Sequence, residues 1–264
     1  MHIFELVVPG TWLDIANAQS ARQLQQQVEH IRSQFYEANA ALNLFEASRA
    51  QTPLMLDPYR RRQDRERRSQ IQRRLESERG AIFDRNLREQ LDFDVDVLFK
   101  KEEWSHGRFP SELEHKNTFI YAKAFLYALD SIDKFLHVLA READAPSTLI
   151  ELCSEFSRLF PDLKEVRNTA HHLEDRARGL GLGKSRKLQP LDLQPVQNEF
   201  VHAPNGGVLM LNVLNGSKYG STMADGHYGE VDISTNSMEA LQSLIQAVLD
   251  AFPWRGPKEH TPRQ

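Results

Sequence analysis

The residues with chemistry in them crowd into one stretch, Glu165-Val166-Arg167-Asn168-Thr169-Ala170-His171-His172-Leu173-Glu174-Asp175-Arg176. It sets cations, an amide, two imidazoles and carboxylates within barely three helical turns. A histidine near its reference pKa of about 6.5 serves as general acid or base at neutral pH. An arginine takes two anion oxygens at once and steadies negative charge that grows in a transition state. An asparagine beside them can orient either group. The set suits proton transfer next to an anion.

An amphipathic helix must position these groups. Pro161 ends what precedes it, and Asp162 followed three residues later by Glu165 has the spacing of a capping box. Leu159, Leu163, Val166, Ala170, Leu173, Ala177 and Leu180 recur at spacings of three and four. That recurrence predicts a buried stripe that runs to the glycines at 179, 181 and 183. At about 100° per residue, Arg167, His171 and Glu174 fall on one flank of the stripe. Glu165, His172 and Arg176 fall on the other, with Asn168 and Asp175 turned outward. The i,i+4 spacing pairs Arg167 with His171 and Asn168 with His172. On this reading the bundle needs none of the polar groups in its core, and all can face a ligand.

Arg167-Asn168, three residues, then His172 resembles the signature of the HEPN-domain family. That signature is an arginine, usually followed by a polar residue, with a histidine four to six positions after the arginine. The likeness covers the motif and its helical surroundings, residues 111–180. It implies an all-helical bundle. Many members work as toxins or in defence against phage and cleave RNA without a metal or other cofactor, so the resemblance implies a metal-independent endoribonuclease of that kind. It also implies a homodimer in which two motifs form one site. Carried onto this sequence, it makes Arg167, Asn168 and His172 the catalytic set, with His171 and Glu174 in support. RNA supplies its own nucleophile, the 2′-hydroxyl, and the products are a 2′,3′-cyclic phosphate and a 5′-hydroxyl. An antitoxin or defence-system protein is a further partner of the implied type. The minimum family spacing selects His172, whereas the helical wheel puts His171 nearer Arg167. A plainer reading makes the stretch a solvated face whose charges pair along the helix. That leaves a non-catalytic helical module that binds RNA or a protein. A nucleotide or small-molecule sensor, built on the Gly-rich region near Gly216-Ser217-Lys218-Tyr219-Gly220-Ser221, is a third class.

A second charged feature lies upstream. Between Arg60 and Arg74 there are eight arginines (60, 61, 62, 65, 67, 68, 73 and 74) against Asp64 and Glu66. On a helix they surround the whole circumference, and Ile71, Leu75 and Ile82 then restore an apolar side. Arg60, Arg61, Arg65, Arg67 and Arg68 are therefore candidate contacts to RNA phosphates, with the salt dependence such contacts carry. The alternative is a solvated helix, or a partner for acidic residues elsewhere in the chain.

Composition bounds the rest. At 264 residues and net charge −4 the chain can bury a real core and is not basic overall. The single Cys153 precludes an internal disulfide and fits a reducing cytoplasm. There is no CxxC, no HExxH and no Cys/His cluster with zinc spacing, so no metal site is expected. Asp92, Asp94 and Asp96 hint at calcium but lack the loop glycine and distal glutamate. No run of eighteen apolar residues occurs, so no membrane span is expected, and the N-terminus has no secretory pattern.

The predicted architecture is mainly α: a HEPN-like helical bundle with a long N-terminal helical arm and a small C-terminal β-hairpin element plus a final helix. Residues 1–108 form the arm, in which Leu24, Val28, Ile31, Phe35, Ala38, Leu42 and Phe45 make a heptad seam suited to an antiparallel helix pair within the chain, ahead of a dimeric coiled coil. Residues 109–183 form the core, with a central helix from Ser111 to about Ala143 and a shorter one from Thr148 to Phe160. Residues 184–252 hold a hairpin of Phe200–Ala203 with Val208–Leu214, a third strand at Glu230–Ile233, and a helix capped by Asn236 and Glu239. Residues 253–264 read as a frayed tail.

Overall fold

The computed structural model describes residues 1–50, 58–80, 84–182, 187–198 and 201–263. Ile82, Gly183 and Phe200, which entered the reading above, lie outside the described residues. The described chain is mainly helical with several small antiparallel sheets. In order it runs β1 (Leu6–Val8), β2 (Trp12–Leu13), α1 (Ala18–Ala50), α2 (Pro58–Arg79), α3 (Arg85–Ser105) and α4 (Ser111–Leu139). Then come α5 (Leu149–Leu159), α6 (Leu163–His171), α7 (Leu173–Ala177), β3 (Leu180–Leu182), β4 (Leu188–Pro190), β5 (Val196–Gln197) and β6 (His202–Ala203). The last are β7 (Val213–Asn215), β8 (Lys218–Thr222), β9 (Tyr228–Asp232), α8 (Thr235–Asp250), β10 (Trp254–Arg255) and β11 (Glu259–Thr261).

The chain forms two compact units, Met1–Glu46 with Phe119–Gln264, and Ala47–Thr118. The larger unit has one continuous core. All seven seam residues of α1 are buried in it, together with Phe125, Leu129, Ile132 and Leu136 of α4, Phe156 of α5, Val166 of α6, and Leu241, Ile245 and Val248 of α8. The heptad of α1 is thus satisfied within the chain, since a stripe that narrow needs only one layer of neighbours.

Residues 253–264 were expected to fray, yet β11 pairs with β1 and β10 with β2, both antiparallel. Two features make the pairing worthwhile. Gln246 of α8 receives the Val7 N–H on its Oε1 at 2.9 Å and donates from Nε2 to the Val7 carbonyl at 2.8 Å. Thr261 is buried and donates its hydroxyl to the Leu6 carbonyl at 3.2 Å. Asn39 of α1 fixes the preceding residues from below, accepting from Phe4 N at 3.2 Å and donating to the His2 carbonyl at 2.9 Å. A polar, Pro-rich ending reads as loose, but its backbone donors and acceptors can still complete another strand.

The predicted β-hairpin is also rearranged. His202-Ala203 pairs with Val196-Gln197, not with residues 208–214. Val213–Asn215 instead turns at Gly216-Ser217 onto Lys218–Thr222, which pairs in turn with Tyr228–Asp232. The Gly216–Ser221 segment is therefore a tight turn and part of the central strand of this sheet. The cap of α8 is Ser234, whose hydroxyl accepts from Ser237 N at 3.2 Å, two residues ahead of the expected Asn236.

Two glycines tie the irregular segment before β5 to the loops it crosses. Gly226 sits at φ +87, and a Cβ there would stand 1.9 Å from the Asp192 carbonyl oxygen. Gly206, at φ +74, would meet the Leu193 carbonyl at 2.0 Å. Replacing Gly226 with Ala adds left-handed strain to a backbone clash, so Gly226→Ala should lower unfolding stability by about 2 kcal/mol or more. A urea midpoint unchanged from the parent would contradict that.

Candidate functional site

The motif helix is placed by the small sheet. Asp162 does not cap α6 with its side chain; it sits in the helical region at φ −93 and ψ −5, and its carboxylate accepts from Glu230 N of β9 at 3.1 Å. Thr169 is fully buried and donates its hydroxyl to the Thr222 carbonyl of β8 at 3.2 Å. These two bonds lay α6 along β8 and β9.

The helix does not continue to Leu180. It ends at His172, whose φ of −112 and ψ of 41 are not helical, and α7 begins afresh at Leu173. The break changes which side chains turn inward. Thr169 and Arg176 are buried where Ala170 and Ala177 were expected, and Ala177 is exposed. Arg176 is 3 % exposed and donates from Nη1 to the Leu180 carbonyl at 2.7 Å, which ties α7 to the start of β3.

Arg167 departs furthest from the wheel. Its side chain is only 16 % exposed, and Nη2 donates to Asp130 Oδ1 of α4 at 2.7 Å. Asp130, 10 % exposed, also receives Lys134 Nζ on Oδ2 at 2.6 Å. Arg167 Nε is buried with no partner among the described residues. The expectation that the bundle needs none of the motif's polar groups in its core is therefore corrected for Arg167 and Arg176. An acidic side chain on the neighbouring helix, invisible to a single-helix wheel, decides where the guanidinium goes.

The expected i,i+4 pairs do not form. His171 packs its ring against Tyr127 of α4, centroids 5.2 Å apart and tilted by 55°. Asn168 Nδ2 reaches Glu165 Oε1 at 3.5 Å, at the outer limit of a hydrogen bond. His172 is 63 % exposed, with Nδ1 4.0 Å from Glu174 Oε1. His172, Glu174 and Asp175 bring one ring nitrogen and two carboxylate oxygens within 4.8 Å of one another, a group the sequence reading did not foresee. The break at His172 makes it, because residues two apart on an unbroken helix do not share a face. Asp130, Lys134 and Tyr127 were missed too. The usable signal was a carboxylate set in the apolar run Leu126, Leu129, Ile132 of α4, since an acid among core positions needs a cation.

No protein-family model, curated protein or solved structure matches the chain.

The arginine-rich segment is helical as expected, but much of its charge is met within its own unit. α2 packs on α3 through Ile71, Leu75, Leu91, Val95 and Phe99. Around that small core Arg67 bonds Glu102 at 2.8 Å, Arg68 bonds Asp96 at 2.8 Å, and Arg79 bonds Asp94 at 2.5 Å. The Arg68 guanidinium also lies 4.3 Å over the Phe99 ring. Of the five arginines expected at RNA, Arg67 and Arg68 are thus engaged with α3, and Arg65 donates from Nε to the Arg61 carbonyl at 3.3 Å. Arg61 and Arg65 remain exposed, and Arg60 is half-buried. Asp92, Asp94 and Asp96 lie in the continuous helix α3, where two of the three serve as acceptors for arginine rather than as a calcium loop.

Two predictions follow from these pairs. The Arg79 guanidinium, then Gln90, holds the Asp94 carboxyl below its ordinary range; Lys100, then Arg68, does so for Asp96. A depressed folded pKa means stability that is present above the ordinary carboxylate value and lost as pH falls through the folded one. Hydrogen exchange over residues 58–105, corrected for intrinsic rates, should therefore show the hairpin opening below about pH 4. Equal protection at pH 5 and pH 3 would contradict it. At the motif, Asp130→Ala strands a buried guanidinium and should cost about 3 kcal/mol. Arg167→Ala leaves Asp130 with Lys134 and should cost less. The comparison is of urea unfolding curves, and the reverse order would show that Lys134 does not hold Asp130.

Proposed function

We propose that the protein is a metal-independent endoribonuclease of the HEPN type, an effector of the toxin or anti-phage class that acts as a homodimer on RNA. The observation that carries the reading is that one motif holds an open histidine, His172, and, five residues earlier, an arginine whose guanidinium is held by a carboxylate. Arginine has five donors in a fixed plane, and Asp130 takes one of them. Held in this way the guanidinium loses little further freedom when a phosphate oxygen takes another donor. His172 then takes the proton of the 2′-hydroxyl, the oxygen attacks phosphorus, and Arg167 steadies the extra negative charge of the phosphorane. The departing 5′-oxygen receives its proton from the second copy's motif. Asn168 orients the phosphate, and His171 and Glu174 flank the site.

A second reading has its own support. An Arg167 mostly covered and bonded to Asp130 is what a structural ion pair looks like, and a motif used only for packing leaves a non-catalytic module that binds RNA or a protein through its exposed face. Incubating the purified protein with total RNA in EDTA separates the two. Fragments ending in a cyclic phosphate, lost in His172→Ala with the melting temperature kept, support cleavage. RNA retained intact supports the binder, and fragments that need added magnesium contradict both the mechanism and the family. Changing Arg61 and Arg65 to Gln, which are exposed, should flatten the salt dependence of RNA binding more than changing Arg67 and Arg68. Slopes identical to the parent in all four variants would leave α2 a structural helix.

A further inference from the structure

The larger unit holds a cleft of about 550 Å³ where β2 and β11 meet residues 25–36 of α1. Its volume is in the range of sites that take a small ligand. Four charged side chains line it, two of each sign: Glu29, Arg32, Glu259 and Arg263. Arg32 bonds Glu29 at 2.7 Å, and Arg263 bonds Glu259 at 2.5 Å. The Arg32 side chain is 13 % exposed, and its Nε–H is buried with no partner among the described residues. Tyr36, also in the lining, shares a hydrogen bond with Thr261, and burial pushes its phenol up, so it stays protonated at neutral pH. Trp12 lines the same cleft with its side chain more than half exposed.

Each feature narrows the chemistry of an occupant. Equal numbers of cations and anions give no net pull on a bare phosphate. The Arg32 guanidinium gives only Nη1 to Glu29, and its remaining N–H groups call for an acceptor. Carboxylates beside it call for N–H donors, and an exposed indole calls for a flat ring. We propose that this cleft binds a guanine base. Guanine presents O6 and N7 as acceptors to an arginine, and N1–H with the exocyclic amino group as donors to a carboxylate. Its ring stacks on an aromatic face. Arg32 reads the acceptor edge, Glu29 or Glu259 the donor edge, and Trp12 covers the ring. Adenine has an amino group where guanine has O6, so it turns a donor toward the guanidinium. Cytosine offers one amino donor group and a smaller ring to the indole.

The base arrives on a free nucleotide or within a strand, and the test includes both. Full-length protein is titrated with GMP, AMP and CMP by calorimetry, and with single-stranded oligonucleotides that differ only by one guanine-to-adenine change. GMP should bind about tenfold more tightly than AMP or CMP. Trp12→Ala should weaken it at least about fivefold, the loss expected when a base loses its stacking partner. Arg32→Gln should remove the preference for GMP. The melting temperature of each variant is measured alongside, and Trp12→Ala, at an exposed position, keeps the test alive if Arg32→Gln unfolds. GMP binding without a guanine effect in the oligonucleotide assigns the cleft to the free nucleotide, and the converse assigns it to a strand. No heat with GMP at millimolar concentration together with no guanine effect in the oligonucleotides, equal affinity for AMP or CMP, or an unaltered Trp12→Ala variant each overturns the proposal. Binding is read without cleavage, so the outcome is independent of whether the protein is a ribonuclease.

Discussion

Asp130 carries its charge at a level of α4 where Leu126, Leu129 and Ile132 are sealed from water. An unmet carboxylate there would cost several kcal/mol, and only a cation at hydrogen-bond distance offsets that cost. Arg167 and Lys134 both reach it. The ion pair thereby fixes the rotation of α6 against α4, and the opposite side of α6 is fixed by Thr169 and Asp162 on the sheet. With both sides committed, the histidines have no freedom in where they emerge. His171 comes out beside Tyr127, and His172 emerges at the helix break into water. The exposed part of the motif is what is left once the buried part has met its own hydrogen-bonding demands.

The smaller unit has the opposite balance. Among the described residues its apolar core is five buried side chains with Leu98 packed against them, a small area for two helices of about twenty residues. The arginines of α2 and the acids of α3 make up part of the difference. Each such pair at a half-exposed site is worth little, and their combined effect depends on the low exposure of the acids, on Arg68 lying over Phe99, and on salt. Part of the charge in this segment thus joins the two helices, through Arg67, Arg68 and Arg79.

The motif's location, the helix that begins it, the seam of α1, the central position of α4 and the mainly helical class were all legible in the sequence. Each rests on a local period or a local breaker, and such signals depend only on neighbours a few positions apart. The seam residues from Leu24 to Phe45 are buried because one narrow stripe has only one way to leave water. The strand pairings among residues 196–232, by contrast, were misjudged.

Tertiary structure alone decided the rest. Which strand pairs with which is a matter of distant backbone groups, so the sequence could not show that Glu259–Thr261 closes on Leu6–Val8. The same holds for the site. From its own helix Arg167 is a polar residue beside an apolar stripe, and nothing within five positions of it reveals that Asp130, thirty-seven residues earlier, claims its guanidinium. The break at His172 has no proline or glycine to announce it, yet it moves Arg176 inward and gathers His172, Glu174 and Asp175 together. The sequence determined which side chains are present and that a helix carries them. The packing of that helix between α4 and the sheet determined which are held inside and which meet solvent, because a charge goes where its counter-charge is and a helix by itself does not know where that lies.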